Sequence, residues 1–187
     1  MRAPGVLAVA GLVFASTGLA STAWAVEHEH HLGVDVGGSM LVIGDKSTND
    51  LGGTAMVHYT YGLSDEFDLM FEGAYSLVAL GQTADSPRTP HTYPSWIANA
   101  NVGIAYVFDV LTWVPYAGIL VGGYGLSGGT IPGTKLLPGV EIALGLDYRV
   151  SSSLSVGVAA RQHLLSETDT YPSFTQLLAR IEYVWGW

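Results

Sequence analysis

Apolar and polar side chains alternate at every second position over long stretches of this chain. In residues 139–150 the even-numbered positions carry Val140, Ile142, Leu144, Leu146, Tyr148 and Val150. The odd-numbered positions carry Gly139, Glu141, Ala143, Gly145, Asp147 and Arg149. Because side chains of a β-strand point alternately to its two faces, this pattern predicts a strand with one apolar and one polar face.

Eight such segments can be read along the chain. They are 32–44, 53–63, 66–80, 95–109, 113–126, 135–150, 153–165 and 173–187. In 113–126, glycines and aromatic residues fall on both faces, so the pattern does not fix which face is apolar. Tight turns at 62–65, 110–112 and 150–153 alternate with longer polar connections at 45–52, 81–94, 127–135 and 166–172. The sequence therefore predicts an all-β fold, an eight-stranded antiparallel up-and-down transmembrane β-barrel.

Hydrophobicity without long apolar runs supports the membrane interpretation. The mean hydropathy is +0.33 and only 12% of residues are charged, yet no run after residue 25 reaches the length that a membrane helix needs. A barrel resolves this, because lipid-facing side chains are interleaved with polar interior ones. A soluble β-sandwich or lipocalin-like barrel is the alternative, but it would be apolar inside and polar outside. The net charge of −9 argues against nucleic-acid partners, and the lack of cysteine excludes disulfides and thiolate metal sites.

The first residues have the layout of a secretory signal peptide. A basic Arg2 precedes a short apolar run, and Ala23-Trp24-Ala25 forms an Ala-x-Ala cleavage motif. An uncleaved membrane helix is disfavoured, because the apolar core is too short to span a bilayer. We expect a signal peptide at 1–25 and one barrel domain at 26–187.

Aromatic residues cluster near the ends of the predicted strands, as in the two aromatic girdles of membrane barrels. By the short turns are Tyr61, Phe67, Tyr106, Phe108, Trp113, Tyr148, Trp185 and Trp187. Toward the longer loops are Tyr75, Tyr93, Trp96, Tyr124, Tyr171 and Phe174.

The last segment places Ile181, Tyr183, Trp185 and Trp187 on one face, and its final aromatic resembles the carboxy-terminal signature read by the barrel assembly machinery of bacterial outer membranes. With eight segments and alternating connections, the chain resembles the small OmpA/OmpX-type barrels and is OmpW-like in style. The resemblance implies an integral outer-membrane protein, a monomer in contact with lipid and lipopolysaccharide. It implies no cofactor and no enzymatic activity.

Polar faces of the predicted strands would fill the barrel interior. The inward charged residues are Arg149, Arg161, Arg180, Asp35, Asp68, Glu72, Asp109, Glu141, Asp147 and Glu182. Counting from the short turns places Arg161, Arg180, Glu72 and Glu141 at a similar height, which resembles the arginine–glutamate cluster of OmpA-type barrels. This network is either a structural one that satisfies buried charge or a gate that passes small ions, with a preference for cations since acids are in excess.

Two further groups of residues raise other functions. Glu27-His28-Glu29-His30-His31 could bind a divalent transition metal, but on a short chain end we expect only adventitious binding and predict no metal site. His163, Ser166 and Glu167 resemble the residue types of outer-membrane lipid A deacylases. In that family the serine follows the histidine by two residues rather than three and the pair faces lipid, so we expect a structural histidine. The loop 81–94 matches no ligand motif.

We therefore predict a non-enzymatic outer-membrane barrel with a side-chain-filled interior and a structural or surface role. A narrow channel for ions or small solutes is the first alternative, and a lipid A-modifying barrel enzyme is the second.

Overall fold

The computed structural model describes residues 28–43, 48–78, 94–108, 112–129, 131–166 and 173–186. These residues form eight strands. They are β1 (His30–Ile43), β2 (Thr48–Gly62), β3 (Phe67–Leu77), β4 (Trp96–Val107), β5 (Trp113–Ser127), β6 (Thr134–Ser151), β7 (Leu154–Leu165) and β8 (Ser173–Trp185). The described part of the chain contains no helix with the length and hydropathy of a membrane span. The expected signal peptide at 1–25 lies outside the described residues.

Each strand pairs antiparallel with the next, and β1 pairs with β8 to close the barrel. The β1–β8 ladder runs from His30 opposite Trp185 to Val42 opposite Ser173. We call the end that carries the β2–β3, β4–β5 and β6–β7 connections the turn end, and the opposite end the loop end. The predicted fold class, a closed eight-stranded antiparallel barrel, is confirmed.

The outer wall is apolar and the interior contains the polar groups. Val34, Ile119 and Val158 expose 52%, 64% and 59% of their surface, although all three are aliphatic. By contrast, Arg161 and Glu141 are fully buried. This is the reverse of a soluble barrel and matches a wall that faces lipid. In β5, whose faces the sequence left open, Tyr116, Leu120 and Tyr124 point inward.

The β1–β2 connection is shorter than predicted. Thr48, Asn49 and Asp50 looked like loop residues, but β2 begins at Thr48 and Ile43 is paired with Thr48. Ladder pairing therefore prevails over polar composition at this end. The close approach of β2 to β3 also requires glycine at position 52. A Cβ there would lie 1.8 Å from the carbonyl oxygen of Leu77.

Aromatic side chains pair on the outer wall near the turn end. The rings of Trp113 and Tyr148 lie 4.9 Å apart, and His30 stacks on Trp185 at 5.3 Å. At the loop end, Tyr75 stacks on Trp96 at 5.7 Å. The prediction that Tyr124 and Phe174 belong to the outer girdle is wrong, since both are fully buried inside the barrel. Tyr93, Tyr171 and Trp187 lie outside the described residues.

Candidate functional site in the barrel interior

Arg161 is the centre of one ion cluster at mid-height of the barrel. Its Nη2 and Nε donate to the two carboxylate oxygens of Glu72 at 2.7 and 3.2 Å. The same Nε lies 3.1 Å from Oε1 of Glu141, whose Oε2 accepts a hydrogen bond from Asn101. We call Arg161, Glu72, Glu141 and Asn101 the central cluster. Strands β3, β4, β6 and β7 each supply one member, so it joins four strands.

Arg180 belongs to a second group nearer the turn end. It donates to Glu182, lies 3.5 Å from Asp147 Oδ2 and lies 3.8 Å from Asp35 Oδ1. His58 is between two of these acids, with Nε2 2.7 Å from Glu182 Oε1 and Nδ1 3.2 Å from Asp35 Oδ1. We call these five residues the seam cluster, because Asp35 and Arg180 are cross-strand partners where β1 meets β8. The sequence placed Arg180 at the height of Glu72 and Glu141, whereas its ion pairs lie closer to the turn end.

Tyr116 connects the two clusters. Its hydroxyl oxygen accepts hydrogen bonds from Arg161 Nη1 at 3.1 Å and from Arg180 Nη1. Both guanidinium carbons also lie over its ring, 5.6 and 5.0 Å from the centroid. The ring has room because Gly145 is its cross-strand neighbour: a Cβ there would be 2.2 Å from Tyr116 Cε1. A glycine on β6 thus permits the contact that joins the clusters.

Glu29, which precedes β1, closes the interior at the turn end. Arg149 donates to its two oxygens at 3.1 and 2.6 Å, a bidentate pair. His31 Nε2 lies 3.4 Å from Glu29 and its Nδ1 lies 3.5 Å from Glu182. Burial acts to raise the pKa of Glu29, but hydrogen bonds from His31 and Arg149 and the charge of Arg149 outweigh burial and hold that pKa below its ordinary value.

Between the central cluster and the loop end, hydrogen bonds between neutral side chains replace ion pairs. Tyr124 and Gln176 flank His163: the Tyr124 hydroxyl is 2.9 Å from Nδ1, and Gln176 Oε1 is 3.2 Å from Nε2. Gln176 also donates to Ser76, whose hydroxyl is 2.7 Å from that of Thr54. These residues form a polar layer above the charged part of the interior.

An apolar layer fills the interior at the loop end. It consists of Leu41, Val78, Ile97, Tyr124, Leu126, Leu165 and Phe174, each at most 2% exposed. Leu137 and Ile131 pack against it from β6 and the β5–β6 connection. Phe174 stacks on His163 with ring centroids 5.0 Å apart, so the apolar layer rests directly on the polar one.

The structure places the predicted interior residues that it describes inside the barrel or at its turn end. Glu72, Glu141, Arg161, Arg180, Glu182, Asp68 and Asp147 are buried inside the barrel, and Arg149 is half-buried at the turn end. Asp109 lies outside the described residues. Ile181 and Tyr183 face outward with 47% and 58% exposure, and Trp185 is on the same face.

Sequence reasoning missed Tyr116, His58, His31, Asn101 and Glu29 as partners of these charges. His58 was recognisable, since it shares the parity of Thr54, Met56 and Thr60 on β2. Glu29 and His31 precede the first predicted strand, at 32–44, and uncharged side chains such as Asn101 were not considered as partners of the interior charges. In addition, β5, which carries Tyr116, had no assigned parity.

The structure does not bring the other candidate groups together. His163 is fully buried while Ser166 is exposed beyond the end of β7, so they do not form a lipid-facing pair. Glu167 and Glu27 lie outside the described residues. Glu29 and His31 point inward while His30 packs against Trp185 on the outer wall. Among the described residues, no three His, Asp or Glu side chains form a group that could hold a metal ion.

No protein-family profile matches the sequence, and no curated protein matches it. Similar solved structures include Neisserial surface protein A (TM-score 0.64, 11% identity, 84% of this chain and 99% of that chain). Ail of Yersinia pestis gives a TM-score of 0.57 at 11% identity, covering 85% of this chain and 99% of that one. The N-terminal β-barrel domain of Pseudomonas aeruginosa OprF gives 0.56 at 11% identity, covering 87% and 100%. This chain therefore has the fold of the small eight-stranded outer-membrane barrels.

Proposed function

We propose that this chain is an integral outer-membrane protein with a closed interior and a non-enzymatic role, as a structural component of the envelope that presents its loops to the surroundings. Its apolar outer wall and its likeness in fold to outer-membrane barrels support this assignment. In that membrane the turn end would face the periplasm and the loop end the exterior.

The proposal that the interior is closed rests on the apolar layer. Leu41, Ile97, Leu126 and Phe174 are fully buried across the loop end of the interior. A solute or a hydrated ion entering from this end would have to displace these side chains and lose water contacts. An eight-stranded barrel has an interior just wide enough for its own side chains, which fits this arrangement.

The partners follow from the same assignment. We expect a monomer whose wall contacts lipid and lipopolysaccharide, after removal of residues 1–25. Ile181, Tyr183 and Trp185 lie on the outer face of β8, where the assembly machinery could contact them as the final strand is inserted. Deletion of Trp187 should lower the amount of barrel in the outer membrane, and unchanged insertion would contradict this role.

Conductance of the purified, refolded protein in a planar bilayer tests the closed state. We expect no discrete openings from the wild-type barrel, with insertion verified independently by protection from protease. Phe174→Ala removes a fully buried ring from the apolar layer, and Leu136→Ala, 78% exposed, serves as its control. Conductance that appears in Phe174→Ala alone would identify the layer as the seal. Openings in the wild type would overturn the proposal.

A narrow ion channel is the second candidate, and the excess of carboxylates over arginines in the buried interior favours it. In that case the central cluster would be the gate, and exchange of Arg161 between Glu72 and Glu141 would open it. The wild-type protein should then show discrete openings, and Glu72→Ala should differ from it in conductance. If the wild type is silent and Glu72→Ala is silent too, the cluster is structural.

A further inference from the structure

A small cavity lies inside the barrel at the turn end, below Tyr116. Its volume is about 30 Å³, and its walls combine Asp68, Asp147, Glu182 and Thr60 with the cations Arg149 and Arg180 and with apolar side chains. A cavity of this volume has room for about two water-sized spheres. The cavity is therefore large enough for a small ion and one water.

Two carboxylates at this cavity have oxygens without a donor. Asp68 and Asp147 are each 7% exposed, and Oδ1 of each has no hydrogen-bond partner among the described residues. The other oxygen of Asp147 lies 3.5 Å from Arg180 Nη1. A buried carboxylate oxygen without a hydrogen-bond partner lowers the stability of the folded protein, and a positively charged ligand would remove this cost for both side chains.

Charge in the described turn-end interior points the same way. Five carboxylates, Glu29, Asp35, Asp68, Asp147 and Glu182, face Arg149 and Arg180 together with His31 and His58. Even with both histidines protonated, one negative charge remains without a partner. Glu29, Glu182 and Asp35 each lie near an arginine or a histidine, Asp35 at 3.2 Å from His58 and 3.8 Å from Arg180. Asp68 and Asp147 remain as the carboxylates with the weakest pairing.

We propose that this cavity binds one small monovalent cation, Na⁺ or K⁺, through the carboxylates of Asp68 and Asp147. The Thr60 hydroxyl and a water complete its oxygen ligands. Hard cations prefer such ligands, and a single positive charge matches the deficit. A divalent ion would add excess positive charge beside Arg149 and Arg180, and the lack of a three-ligand His/Asp/Glu group in the described chain disfavours a transition metal.

The test uses the full barrel refolded in detergent micelles. Thermal unfolding is compared in sodium chloride and in the chloride of a bulky organic cation, N-methylglucamine, at equal ionic strength. A ligand that binds only the folded state raises the midpoint of unfolding, so we expect a higher midpoint in sodium. Asp68→Asn should lose this difference, while Asp65→Asn, an exposed aspartate in the β2–β3 turn, should keep it.

Sodium NMR relaxation provides direct evidence of binding. We expect line broadening by the wild-type protein that K⁺ displaces and that Asp68→Asn abolishes. If Asp68→Asn does not refold, Asp147→Asn is measured in its place with the same expectation. Equal unfolding midpoints in the two salts together with no broadening would overturn the proposal. So would an infrared carbonyl band of a protonated carboxyl in the wild type that is missing from Asp68→Asn, because a proton would then neutralise the site.

Discussion

The two ends of the barrel interior are filled by opposite kinds of side chain. At the turn end, carboxylates, arginines and histidines from several strands pair with one another around a small cavity. At the loop end, aliphatic and aromatic side chains pack without charge. The same alternating strands build both ends, so membrane insertion by itself does not set interior polarity. The difference supports the proposal that the interior is closed at the loop end.

Removing a charge from the central cluster should have the largest effect. Arg161 is fully buried between Glu72 and Glu141. Arg161→Ala leaves two buried carboxylates without a cation and should lower the free energy of unfolding by about 3–5 kcal/mol. Urea unfolding in micelles, followed by tryptophan fluorescence, measures it.

A compensating variant sharpens this prediction. Arg161→Met combined with Glu72→Gln and Glu141→Gln removes all three charges, so most of the lost stability should return. If the triple variant is no more stable than Arg161→Ala, the loss comes from packing and not from unpaired charge.

Truncation in the apolar layer should cost somewhat less. Leu41→Ala creates a cavity among fully buried side chains and should lower the free energy of unfolding by about 3 kcal/mol. Leu136→Ala, on a side chain that is 78% exposed, should change it by about 0.5 kcal/mol or less. Equal effects of the two variants in the same urea experiment would mean that the loop end is not tightly packed.

The link between the clusters should have an intermediate effect. Tyr116→Phe keeps the ring over both guanidinium groups but removes the hydroxyl that accepts from Arg161 and Arg180. Loss of hydrogen bonds to charged groups should cost about 2 kcal/mol. Tyr148→Phe, whose ring packs on Trp113 on the outer wall, is the matched control and should be close to neutral. A neutral Tyr116→Phe would show that the two clusters are independent.

The smallest effect is expected at the turn-end mouth and depends on pH. Because the pKa of Glu29 is lowered in the folded barrel, its contribution is fully present above the ordinary carboxyl range and is lost as pH falls through the lowered pKa. Because Arg149, the partner of Glu29, is only half-buried and stays in contact with water, Glu29→Gln should be less stable than wild type by about 1 kcal/mol at neutral pH. The difference in midpoint of thermal unfolding should shrink on acidification. A difference that grows toward low pH would contradict the pairing with Arg149.

Much of the fold could be predicted because the alternation of apolar and polar side chains marks the strands and their two faces. Interior and exterior faces of β6 and β8 are as the pattern indicated, with Glu141, Asp147 and Arg180 inside and Ile142 and Ile181 outside. Where alternation is silent, as in the glycine-rich β5, the sequence left the faces open. Position along a strand proved a poor guide: Phe174 lies near the end of β8, yet its parity with Gln176 and Arg180 places it inside.

Which charged side chains pair inside the barrel could not be predicted from the sequence, and the reason is physical. Which charges meet depends on the stagger of the strands around the closed barrel, so Arg180 meets Asp35 and Glu182 rather than Glu72. Space also decides, since Tyr116 reaches both arginines only because Gly145 opposite has no side chain. Neither stagger nor free volume can be read from the period of a single strand.

Closure of the sheet has a consequence for the order of folding. His31 and Glu182 are 151 residues apart in sequence, and Asp35 meets Arg180 only when β8 docks beside β1. Until then two sheet edges stay open, and Asp35 and Asp147 lack Arg180 as their cation. The central cluster, which lies on β3, β4, β6 and β7, can form before β8 docks, whereas the seam cluster cannot. Docking of the final strand therefore seals the edges and completes the seam cluster in the same step.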